Sequence, residues 1–244
     1  MTHSYENVNT FNLDEISMIE KEVIMTNDTQ QKKTKIHTVY KLSGGDRVPS
    51  VTTILGILNK PALMDWAWKC GCDGLDYKAV RDDAGGVGTL AHYLIMCHLQ
   101  QTKPDTSEYS EQDIDRAETC LIKFWDWEKG HKLEPILVES PLISEEHQFG
   151  GTIDFFGMVD GQPTLVDFKT GKAIYPEFFY QLAAYEQLLA EAGYLIEVTR
   201  ILRIGRNEDE GFEERSVGKL DKQWELFLAC KKIYELQKII RRDK

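Results

Sequence analysis

The chain has 244 residues, 42% of them hydrophobic, which suffices for one sizeable core with elaborations. No apolar run approaches the ~18 residues of a membrane span and no basic-then-apolar segment opens the chain, so a soluble intracellular protein with no membrane partner is expected. The net charge of -11 argues against unfocused binding to nucleic acid, and five scattered cysteines argue against a disulfide framework.

In chain order, residues 1–33 are polar and aperiodic and read as a mobile arm or a weak helix ahead of a single domain over 34–244. That domain divides into a mainly helical part, 34–132, and a sheet core with a terminal helix, 133–244. "KIHTVYKL" alternates like a strand and "GGDRVP" reads as the turn after it. Ser50 is placed to cap a helix over "VTTILGILN", followed by a Trp-rich helical segment from Pro61 to about Val80. Gly85, Gly86 and Gly88 precede another helical run, "TLAHYLIMCHLQ". After an acidic stretch, a helix is expected near Glu111 to Lys129.

Strands cluster only from there: "EPILVES", "GTIDFFGMV", "PTLVDFKT", then a helix "EFFYQLAAYEQLLAEA", a strand "YLIEVTRILRIG", a short "FEERSVG" and a terminal helix from about Leu220. Helices first, then a mostly consecutive sheet with a crossover helix, predicts an α/β fold: a mixed central sheet flanked by helices, with an N-terminal helical elaboration.

Asp160-Gly161 is a strong hairpin signal, because a type I′ turn needs positive φ at both central residues. With those two as the loop, Val159 faces Gln162, Met158 faces Pro163 and Asp154 faces Asp167. In this register the Asp154/Asp167 pair is non-hydrogen-bonded, with Cα atoms ~4.5 Å apart, and two like charges so placed are destabilising. A divalent cation with oxygen ligands would offset that cost. Lys169 lies two residues past Asp167 and shares its face, while Ile153, Phe155, Val166 and Phe168 are expected on the other, apolar face.

These residues resemble the PD-(D/E)XK nuclease superfamily, in particular its RecB-like and phage exonuclease branch, over about Pro49 to Tyr185. "GTLAH" is similar to the helix bearing a metal-binding histidine, here His92. "LVES" is similar to the first core strand with its acid, Glu139. "GTID" and "VDFKTG" look like the two central motifs, and the resemblance implies Asp154, Asp167 and the Phe168 carbonyl as metal ligands and Lys169 as the catalytic lysine. "QLAAY" matches a Q-L-x-x-Y helix and implicates Gln181 and Tyr185 in substrate positioning, with Lys172 close by.

The resemblance implies a restriction-endonuclease-like core, an Mg²⁺- or Mn²⁺-dependent DNA exonuclease of phage or prophage type, and 5′-phosphate ends. It also implies DNA and a phage recombination protein as partners, and the cytoplasm of a bacterial host as the setting. A non-catalytic DNA-binding or assembly protein on the same fold and a restriction-type endonuclease are the alternatives. Relatives with an iron–sulfur cluster ligate it mainly from the C-terminal region, where this chain has only Cys230, so no cluster is expected. A basic track for DNA is expected from Lys169 and Lys172, from Arg200, Arg203 and Arg206, and from Lys231, Lys238 and Arg241 on the terminal helix.

Overall fold

A computed structural model describes residues 38–243. The arm expected over 1–33 lies outside them. Six helices and five strands are described: α1 (Val51–Leu55), α2 (Pro61–Cys72), α3 (Tyr77–Leu99), α4 (Glu111–Glu128), β1 (Leu133–Ser144), β2 (Phe149–Val159), β3 (Gln162–Lys169), α5 (Pro176–Glu191), β4 (Val198–Ile204), β5 (Phe212–Val217) and α6 (Asp221–Arg242). The fold is mixed α/β, and none of these helices is long and apolar enough to cross a membrane.

The strands lie in sequence order, β1-β2-β3-β4-β5. All neighbours are antiparallel except β3 and β4, which run parallel because α5 carries the chain back between them. Two cores flank the sheet. On one face α1, α5 and α6 pack around Ile54, Phe149, Phe156, Leu165, Leu182, Leu188 and Phe227. On the other, α3 and α4 pack around Leu90, Ile95, Phe124, Phe155, Val166 and Phe168. β2 and β3, in the middle of the sheet between the two helical layers, are therefore buried almost throughout, whereas the edge strand β5 is mostly exposed.

Ser50 caps α1 as its sequence suggests, its hydroxyl accepting from the Thr53 amide at 3.0 Å. Three local expectations fail. Among the described residues, "KIHTVYKL" contributes only a bridge between Lys41 and Arg47. Its alternation has no long partner strand to pair with. The Trp-rich helix stops at Cys72, and α3 restarts at Asp76, whose carboxylate accepts from the Lys78 amide. From there α3 runs straight through Gly85, Gly86 and Gly88, where a helix start was expected. Glycine weakens a helix by about 1 kcal/mol per residue without breaking it. At Gly88 there is a packing reason, because a Cβ there would lie 2.6 Å from Thr170 Oγ1 at the end of β3.

Candidate metal centre

The site is built around the hairpin. Asp160 (φ 53°) and Gly161 (φ 81°) form the left-handed pair of a two-residue turn, and Val159 closes on Gln162 as expected. The pairing holds as far as Phe155 opposite Val166 and then stops. Asp154 and Asp167 are thus not a ladder pair, which corrects the simple register. Instead the Asp154 carboxylate accepts from the Phe168 amide at 2.8 Å, filling the gap where β2 and β3 part.

A second irregularity lies on the other side of Asp154. The β1–β2 ladder pairs Val138 with Phe155 and Ser140 with Ile153, and skips Glu139 and Asp154 between them. Glu139 has φ 47°, a left-handed conformation uncommon for a residue with a Cβ. Both strands change phase here. Val138 and Phe155 pack on the α3/α4 side, whereas Leu142 and Ile153 pack on the α1/α5/α6 side, where strict alternation would have kept them with the former. Ile153 therefore does not share a face with Phe155, Val166 and Phe168. The interrupted ladder no longer enforces alternation through that point.

Five side chains, His92, Glu139, Asp154, Asp167 and Lys169, converge on this joint. His92, from the middle of α3, places Nδ1 3.4 Å from Glu139 Oε1 and 3.7 Å from Asp154 Oδ1, and its ring meets Phe168 edge-on at 6.0 Å. The ligand atoms of His92, Glu139 and Asp154 all lie within 4.8 Å of one another, close enough to share one ion. Asp167 is 1% exposed. Lys169 Nζ is in ion-pair contact with its Oδ2, yet neither carboxylate oxygen has an aligned hydrogen-bond donor. Lys169 offsets part of the cost of burying this carboxylate while Oδ1 keeps no partner, and the side chains whose ligand atoms could share one divalent ion are His92, Glu139 and Asp154, with Asp167 outside that group.

Lys169 also reaches the Phe168 carbonyl at 3.5 Å and lies 5.1 Å above the Phe178 ring of α5. Gln181 donates to the Tyr185 hydroxyl at 2.7 Å, and the nearby Asp154 and Asp167 charges act on that buried phenol. Lys172 is exposed in the turn after β3.

The protonation states follow from burial and crowding. Burial pushes the Asp167 carboxyl up to about 6, with Asp154 adding to the rise and Lys169 opposing it. Burial, with Glu139 adding, also raises Asp154. Burial alone would lower His92, but Asp154 and Glu139 outweigh it and lift the imidazole to about 9. Burial raises Tyr185 well above the usual phenol range.

These shifts set a pH window. The folded pKa of Asp167 exceeds its unfolded value of 3.8, so the metal-free native state binds more protons than the unfolded chain between about 3.8 and 6. Stability contributed by this group falls as pH rises through that window and stays low above it. His92, with a raised folded pKa, contributes stability that is complete below 6.5 and lost as pH rises through about 9. Asp167→Asn should therefore stabilise the metal-free protein at pH 7 by on the order of 2 kcal/mol, a rise in Tm of several degrees. Melts in a chelator at pH 4 and pH 7 check it: the gain should be present at pH 7 and absent at pH 4. An asparagine variant that melts lower than wild type at pH 7 would remove the argument.

Two features were not foreseen. Tyr40, ahead of α1, donates to or accepts from Thr152 at 2.8 Å, and the Glu139 charge acts on its phenol, so it forms a wall of the site. Its ring lies where a side chain on Gly150 would be, 2.3 Å from the position of a Cβ. The second feature is the fate of the expected basic track. Arg200 pairs with Glu214, Arg203 with Glu213 and Arg206 with Glu210, and Lys231 pairs with Glu235. The β4–β5 pairing brings acids of β5 and of the preceding turn onto these arginines, so they are internal staples rather than an open track.

No protein-family model and no curated protein matches the sequence. Among solved structures, the chain is similar to the crystal structure of SSO0001, with 15% identity and a TM-score of 0.33 over 52% of this chain. The match spans 65% of that protein's length.

Proposed function

We propose that the chain is a metal-dependent deoxyribonuclease with a PD-(D/E)XK core, an exonuclease of phage or prophage type that works beside a phage recombination protein in the host cytoplasm. One observation carries the reading. A buried carboxylate without an aligned donor, a second carboxylate, a lysine and a His–Glu pair meet where β2 and β3 part. A surface hairpin with solvated charges would not bury Asp167 to 1% exposure.

Asp154, Asp167, the Phe168 carbonyl and His92 would hold Mg²⁺ or Mn²⁺, which when bound polarises a phosphate oxygen and lowers the pKa of nearby water. Lys169, already against Asp167 and the Phe168 carbonyl, orients the attacking water and offsets charge that builds on the phosphate. Glu139 orients water or holds a second ion from the opposite strand. Gln181, half-buried, presents its amide to a phosphate or base, and the buried Tyr185 hydroxyl that accepts from it holds that amide in place. Lys172, exposed beyond Lys169, draws the strand by charge. In-line attack leaves a 5′-phosphate.

End-labelled linear DNA and closed circular DNA, each with Mg²⁺ or a chelator, test the reading. Linear DNA should be degraded from its ends only with Mg²⁺, and the circle spared. A cut circle would point to the endonuclease alternative. Binding without cleavage under any metal would point to the non-catalytic one.

A further inference from the structure

We propose that the turn between β1 and β2 and the end of α5 form a second metal site, a zinc site made by Glu146, His147 and Glu191. Their ligand atoms all lie within 4.8 Å of one another. The site is separate from the candidate metal centre, because β2 starts at Phe149 and the strand from there to Asp154 spans roughly 17 Å.

The turn holds its histidine firmly. Ser144, fully buried at the end of β1, accepts from the His147 amide at 2.8 Å through its hydroxyl, and its carbonyl accepts from the Gln148 amide at 2.9 Å. The same hydroxyl donates to Glu191 Oε1 at 2.9 Å, and Gln187 of α5 donates to that oxygen at 3.1 Å. One buried serine thus fixes two of the three ligands relative to each other. Hydrogen bonds that orient a carboxylate in this way are the usual support of a metal ligand. The His147 ring also meets Trp224 of α6 edge-on at 5.1 Å.

The spacing of the three groups points to an ion between them. His147 Nε2 stands 3.8 Å from Glu146 Oε1 and 4.0 Å from Glu191 Oε1, too far for hydrogen bonds. Donors bound at ~2.0–2.2 Å to one tetrahedral ion lie about 3.4 Å apart, so movements of about half an ångström, led by the exposed Glu146, close the set. Among the described residues no lysine or arginine pairs with either acid, and the two carboxylates share only the imidazole. Donor chemistry selects the metal. Mg²⁺ and Ca²⁺ take oxygen ligands, whereas one imidazole and two carboxylates, with water in the fourth position, suit Zn²⁺. Zinc held there ties the β1–β2 turn to α5 and stabilises only the folded chain.

Equilibrium dialysis of the full chain against micromolar Zn²⁺ tests this apart from catalysis. The background is His92→Gln/Cys72→Ser, which removes the imidazole of the candidate centre and the exposed thiol. One equivalent of zinc should be bound in it, and adding His147→Gln should remove that equivalent. Melts of the same proteins should show a rise of roughly 5 °C with zinc about a hundredfold above its dissociation constant, absent in His147→Gln and in Glu191→Gln. Glu191→Gln keeps an acceptor for Ser144, so its melt without zinc should match the background. Mg²⁺ at the same concentration should give no rise that depends on His147. A background that binds no zinc, zinc content or a zinc-induced rise unchanged by His147→Gln, or an equal His147-dependent rise with Mg²⁺ overturns the proposal.

Discussion

Replacing Asp167 by asparagine, or Lys169 by alanine, is expected to lower Mg²⁺-dependent cleavage of linear DNA by about 10³-fold or more, as loss of one well-placed charge in a transition state does. The two variants should part company in stability. Asp167→Asn removes a buried charge that no aligned donor satisfies and gains stability without metal. Lys169→Ala leaves that same charge without its ion-pair partner and loses stability. Activity from purified variants, set beside melts in a chelator, separates a catalytic defect from a folding one. Cleavage at the wild-type rate in either variant would sink the assignment of both residues.

The largest loss of stability is expected far from this site, at Phe227 of α6. Its side chain is fully buried and stacks on Trp224 at 5.5 Å and edge-on against Phe149 at 4.9 Å. Phe227→Ala should cost about 3–5 kcal/mol, through lost burial and a cavity that the rings of Trp224 and Phe149 cannot readily close. In a chain of this size that lowers Tm by roughly 10 °C. Urea denaturation should show a lower midpoint with an unchanged slope. A loss below about 1 kcal/mol would mean that α6 is far less tightly docked than its packing indicates.

The hairpin was legible because its information is local. Asp160-Gly161 specifies the turn, and the turn carries the register outward for five pairs. The break at Asp154 was not legible, since reading on in steps of two assumes an unbroken ladder. Glu139 breaks it with a left-handed backbone that no glycine announces. His92 was found through the motif around it and not through periodicity, because its partners arrive from strands some fifty residues later. The arginines of β4 looked available for DNA because their acids lie across a turn whose register has no comparable local signature. Tyr40 carried no signal at all, since its role depends on Gly150 far along the chain.

The simultaneous phase change in β1 and β2 has a consequence for how this protein can vary. On either side of Glu139 and Asp154 the strands answer to different cores, and at the joint they answer to neither. Exchange of the Glu139 side chain therefore asks little repacking of either core, whereas a change at Asp154 also removes the acceptor of the Phe168 amide where β2 and β3 part. A lineage could trade the side chain at Glu139 and retain the same architecture. The two positions thus differ in what the scaffold asks of them, and a retained sheet says little by itself about which side chain stands at Glu139.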